Sequence, residues 1–192
     1  RQLSTVTVMP ADEVVCKVQT MDDNSEAAED TGSLTIANRA PELSTATIDD
    51  TTPYANSTIA CSASVTDADG ESLNATYEWS NGNTVLGSSA SLTLTPSDAG
   101  VGDSITCTAS VSDGYGGSDS TTATATVQNT DPTMSGVSIS PGVVTVSDTL
   151  TCSATGSDLN DSALSAVYSW SNDTTAATLG STAILQLDST IS

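Results

Sequence analysis

The side chains that could do chemistry here are almost all carboxylates and thiols. Asp67-Ala-Asp69-Gly-Glu71 sets three carboxylates at alternate positions around a glycine. Oxygen ligands spaced this way around a sharp turn suit a hard divalent cation such as Ca2+. The segment lacks the full twelve-residue loop of an EF-hand, and Asp and Gly also favour ordinary turns between strands, so an ion-free polar turn is the competing reading. Other acidic loops hold Asp22 with Asp23, Asp113 with Asp119, and Asp158 with Asp161. Catalysis has little to draw on. There is no histidine for general-base duty, Lys17 is the only lysine, and no glycine-rich phosphate loop follows a strand-like run. Carboxylate pairs could serve a glycosidase, but these lie in turn-like loops, where a solvated β protein puts its acids. The expectation is a chain that is not an enzyme and has no catalytic residues.

Four cysteines, Cys16, Cys61, Cys107 and Cys152, point to an oxidising compartment and an extracellular or cell-surface location. Without histidine a zinc site would need several thiolates close together, and these stand far apart in sequence. Asn56, Asn74, Asn160 and Asn172 each open an Asn-x-Ser/Thr sequon, a place for glycans where the host has the machinery. The net charge of −21 would repel nucleic acid and anionic membranes, so neither is an expected partner. No run of about 18 apolar residues is present, so no membrane-spanning helix is expected.

The elements that must carry these residues read as strands. Apolar or small residues alternate with polar ones in three runs: Ile59, Cys61, Ala63, Val65; Ala75, Tyr77, Trp79; and Ile105, Cys107, Ala109, Val111. Period two marks a strand with one buried face. Strands are expected near 43–48, 57–66, 74–80, 83–87, 89–95, 103–112 and 119–128, with a tight turn at Asn81-Gly-Asn83. Phe is absent and aromatics make up 3% of the chain, so Ala and Val leave the core thin.

An internal repeat organises the whole chain. Cys16 and Cys107 stand 91 residues apart (107 − 16), as do Cys61 and Cys152 (152 − 61). Trp79 follows Cys61 by 18 residues, and Trp170 follows Cys152 by 18. Ala75-Thr-Tyr-Glu-Trp-Ser-Asn81 echoes Ala166-Val-Tyr-Ser-Trp-Ser-Asn172. On this phase residues 1–38 are the second half of a repeat, 39–129 a complete repeat and 130–192 the first half of another. Half a sandwich exposes edges and an uncovered core face, so neither half is expected to be stable alone. Asn38-Arg-Ala-Pro41 and Asn129-Thr-Asp-Pro132 make short, stiff junctions.

The repeat resembles bacterial or archaeal immunoglobulin-like domains of the PKD and cadherin-like kind, found in tandem in long secreted surface proteins. Cys61…Trp79…Cys107, the Asp67–Glu71 segment and the Asn-x-x-Pro junctions carry the resemblance. Trp79-Ser-Asn-Gly-Asn83 departs from the PKD motif Trp-x-Phe-Gly-Asp-Gly, and Ile105 stands where a tyrosine corner would place Tyr. The resemblance implies an all-β fold of tandem immunoglobulin-like sandwiches, a Cys61–Cys107 disulfide between the sheets, and Trp79 and Trp170 as core plugs. It leaves Cys16 and Cys152 as lone halves of pairs. Their partners lie either further along the same polypeptide or in neighbouring copies, bonded Cys16 to Cys152 head to tail. The expected function is a structural repeat unit of an extracellular filament, fibre or long surface protein. The competing class is an adhesive or carbohydrate-binding module, for which Tyr54 and Tyr115 are the loop aromatics.

Overall fold

The computed structural model describes residues 7–161 and 164–188. Among these the fold is all-β, built from small antiparallel sheets in keeping with a β-sandwich. The chain divides into two compact units, Arg1–Ala99 with Asp103–Val127, and Gly100–Gly102 with Gln128–Ser192.

The first unit begins with a hairpin of β1 (Glu13–Met21) and β2 (Ala27–Thr35), which form a sheet of their own. β3 (Glu42–Leu43) and β4 (Thr47–Ile48) lead to β5 (Thr58–Ser62) and β6 (Val65–Thr66). There follow β7 (Thr76–Asn81), β8 (Thr84–Gly87), β9 (Ser91–Thr93), β10 (Ser104–Ser112) and β11 (Ser118–Thr126). One sheet runs β11-β10-β7-β8, a second β4-β5-β9, and β3 pairs with β6. Gly82 turns β7 into β8 at a φ of +56°, a conformation that glycine adopts without strain. Ile59 and Cys61 from β5 and Ile105, Cys107, Ala109 and Val111 from β10 are buried, as period two requires of an inward face. Trp79 is wholly enclosed, and its Nε1 donates to the Ser89 carbonyl at 2.9 Å. The Cys61 and Cys107 sulfurs are bonded, which ties the three-stranded sheet to the four-stranded one.

Two strands expected as single runs are broken. The run at 43–48 divides into β3 and β4, and that at 57–66 into β5 and β6. At the end of β3 and in the gap before β4 the backbone turns to side chains of β11: Leu43 N–H donates to Asp119 Oδ2 at 2.8 Å and Ala46 N–H to Thr121 Oγ1 at 3.3 Å. Those contacts take donors that a continuous ladder would have used.

The second unit holds β12 (Thr133–Ser140), β13 (Thr149–Ser157), β14 (Trp170–Asn172), β15 (Ala177–Gly180) and β16 (Ile184–Gln186). Its sheets are β12-β13-β16 and β14-β15. Trp170 is 8% exposed, and its Nε1 donates to the Thr182 carbonyl at 2.7 Å. Local geometry recurs between units. The Cys61 N–H donates to Ala90 O and the Cys152 N–H to Ala183 O, both at 2.8 Å. A bulge follows Trp79 on β7 and Trp170 on β14. β12 runs unbroken where β3 and β4 are separate, and β13 runs unbroken where β5 and β6 are separate.

Candidate metal centre

The turn after β6 starts at Asp67, whose Oδ1 accepts the Asp69 N–H at 2.7 Å while Gly70 takes a φ of +87°. This turn aims Asp67 and Glu71 at Asp113, the residue that follows β10. One oxygen from each of the three lies within 4.8 Å of the other two. All three side chains are half-buried.

Asp113 is held by its own loop. Its Oδ1 accepts the Tyr115 N–H at 2.8 Å and the Gly117 N–H at 2.7 Å, and its Oδ2 accepts Asn38 Nδ2 at 2.8 Å. Gly117 is required by close approach: a Cβ there would run into Asp113 Oδ2 and would lie 2.7 Å from Ala40 Cα. Three of these groups leave polar capacity unspent. Asp67 Oδ2, Glu71 Oε2 and Asn38 Oδ1 are buried oxygens without a hydrogen-bond partner, and Asn160 Nδ2 is a buried nitrogen in the same state in the second unit. Buried oxygens without partners are costly. Three of them beside a clustered set of carboxylates match what a hard cation requires of a protein.

The electrostatics agree. Burial raises the Glu71 pKa above its ordinary 4.5, and the charges of Asp67, Asp113 and Asp69 push it further the same way. Asp113 is held below its ordinary 3.8 first by the Asn38 hydrogen bond and then by the backbone N–H groups of its loop. One acid is therefore anchored as a carboxylate while its neighbour resists ionisation. A divalent cation would relieve that conflict by offsetting the clustered negative charge.

Asp69, expected as the middle ligand, faces elsewhere. Its Oδ2 accepts the Arg39 N–H at 2.8 Å, and its Oδ1 accepts Arg39 Nε and pairs with Nη2, both at 2.7 Å. The Arg39 backbone and side-chain bonds lower its pKa. The centre thus joins Asp67 and Glu71 to Asp113 and Asn38 rather than to Asp69. The signal for Asp113 was in the repeat: Asp22, 91 residues earlier, also caps its hairpin turn, accepting Asn24 N–H and Glu26 N–H on Oδ1. Asn38, read as part of a linker, is the residue that ties the hairpin's exit to Asp113.

No family model and no curated protein matches this chain. The functional reading therefore rests on its own residues.

The remaining residues of interest are spread out. Cys16 is an exposed free thiol and Cys152 a half-exposed one. Tyr54 and Tyr115 are exposed at 48% and 44%. Asn56 and Asn74 are exposed and Asn172 is half-buried. Asn160 is engaged: its Oδ1 accepts Thr130 N–H at 2.9 Å and Thr130 Oγ1 at 2.6 Å. With Nδ2 buried, that atom has no room for a glycan in the folded unit.

The pH dependence has a definite sign. A folded-state pKa raised above the unfolded value means the folded state binds more protons, so the Glu71 contribution falls as pH rises through 4.5 and beyond. Cation-free Glu71→Gln protein is expected to melt higher than the parent at pH 7. Added Ca2+ is expected to raise the parent's melting temperature and to leave the Glu71→Gln protein nearly unchanged. Calorimetry at pH 4 and pH 7, with Ca2+ and with chelator, measures both. A parent indifferent to Ca2+ at pH 7 would remove the cation reading.

Proposed function

We propose that this chain is a structural module of an extracellular filament, fibre or long surface protein, in which immunoglobulin-like β-sandwich repeats follow one another end to end. The observation that carries the reading is strand recurrence. β1 and β2 begin and end 91 residues before β10 and β11, and β13 covers the span of β5 and β6 displaced by the same 91. A chain with that period and little linker between repeats is built to extend in one direction. The role of each part is mechanical. The Cys61–Cys107 bond locks the sheets, Trp79 fills the core, and the acidic surface keeps neighbouring shafts apart by charge repulsion. A divalent cation at Asp67, Glu71 and Asp113 would fix Asn38, and with it the hairpin's exit, against the two turns that hold those acids.

The reading is tested by locating the native protein with a gold-labelled antibody on the cells that make it. Label along filaments or in a surface layer is expected. Label confined to the cell interior would overturn it.

A further inference from the structure

β7 passes into β8 through two residues, Gly82 and Asn83, and the last residue of β7 is Asn81. Gly82 takes its φ of +56° at the first central position of this turn, where a side chain would be strained. Asn81 answers a different demand. Its Nδ2 donates to the Asp98 carbonyl at 2.9 Å and to Asp103 Oδ2 at 2.8 Å. These bonds tie the end of β7 to the loop that carries Asp98 and Asp103. Two separate needs thus place Asn81 directly before Gly82, and this is the one Asn-Gly pair in the chain.

An asparagine followed by glycine is open to attack by its own backbone, because glycine has no side chain to shield its nitrogen. The glycine nitrogen attacks the asparagine Cγ. A new C–N bond closes a cyclic imide, the Cγ–Nδ2 bond breaks, and ammonia leaves with the proton from the glycine N–H. Water then opens the imide at either carbonyl. One product is aspartate; the other is isoaspartate, whose main chain runs through Cβ and Cγ.

The fold opposes this reaction at Asn81. Its backbone is in register with Ile105 of β10 on one side and Thr84 of β8 on the other. Turning Cγ onto the Gly82 nitrogen would break both side-chain bonds and leave the part-buried Asp98 carbonyl and Asp103 carboxylate without that donor. The products do not fit the place that Asn81 fills. A carboxylate there has no proton to donate, and it faces a carbonyl oxygen and a like charge on Asp103. Isoaspartate also adds a main-chain atom next to the Asn81↔Thr84 pairing. Asn172, 91 residues later, is a built-in comparison. It is followed by Asp173 instead of glycine, and its Oδ1 accepts the Thr174 and Thr175 N–H groups at 2.9 and 3.1 Å.

We propose that Asn81-Gly82 is a deamidation site gated by folding. Asn81 keeps its amide while the repeat is closed, loses it when the repeat opens, and once converted no longer locks the Asp98 and Asp103 loop to β7. The site is thereby a chemical record of unfolding, and it stands apart from the filament reading.

The purified 192-residue chain is kept in mildly alkaline buffer in two states, native, and reduced in guanidinium chloride. Peptide mass spectrometry and an isoaspartate methyltransferase assay follow the conversion at each asparagine. Asn81 is expected to convert in the unfolded chain well before Asn172, and to stay intact in the native chain over the same period. Asn81→Asp protein is expected to melt at least about 5 °C below the parent. Asp103→Ala protein that retains its Cys61–Cys107 bond is expected to lose the Asn81 amide faster than the parent in native buffer. Equal conversion of Asn81 in native and unfolded parent would overturn the inference, and this comparison needs no variant to fold. An Asn81→Asp protein as stable as the parent would overturn it as well.

Discussion

Replacing Cys61 and Cys107 together by Ala is expected to lower the unfolding free energy of the first unit by about 4 kcal/mol. The bond closes a loop of sequence separation 46, and a loop of that size costs this much to close in the chain-entropy account. The core offers little to compensate. Its enclosed side chains are mostly Ala, Val, Ile and Leu, with Trp79 as the one large ring among those fully buried in this unit. Small domains of this kind commonly lean on disulfides because they bury too little apolar area. Urea unfolding followed by far-ultraviolet circular dichroism measures the effect, with and without the double replacement. A loss below about 1 kcal/mol would mean that packing alone holds the sheets together.

The 91-residue offset stands out in the sequence because cysteine and tryptophan are rare here and their positions are constrained by geometry. A sulfur must meet a sulfur across the sheets, and an indole needs a carbonyl for its N–H. Ser89, 10 residues after Trp79, and Thr182, 12 after Trp170, provide that carbonyl. Strand ends were less legible. The gap between β3 and β4 depends on β11 side chains far along the chain, and in the gap between β5 and β6 the Ala63 N–H donates to the Tyr77 hydroxyl and the Ser64 N–H to Ser44 Oγ, none of which alternation within a short window can register.

The metal centre was half legible for a related reason. Asp67 and Glu71 are close in sequence, and their spacing around Gly70 marks them. Asp113 enters through a different turn, brought there by the β10 register. Asp69 looks equivalent to its neighbours on paper, yet Arg39 claims both of its oxygens. Local spacing fixes which side chains share a turn, whereas pairing and partner choice are settled by distant parts of the fold. The same distinction applies to the two free thiols: sequence placed them in register with a bonded pair, and the geometry shows Cys16 exposed and Cys152 half-exposed where Cys107 and Cys61 are buried.

Trp79→Ala is expected to cost about 3–5 kcal/mol, the range for deleting an aromatic side chain from a packed core. The ring is fully enclosed, sits beside the disulfide strand in the Cys107↔Trp79 pairing, and leaves the Ser89 carbonyl without its donor when removed. Trp170 is the internal control. It makes the same kind of hydrogen bond, but the face around it is less covered, with Leu150 and Cys152 half-exposed nearby in the repeat. Trp170→Ala should therefore cost less than Trp79→Ala. Melting curves of both variants make the comparison. Equal costs would show that the two indoles are packed alike, and an unchanged melting temperature for Trp79→Ala would remove that indole from the core altogether.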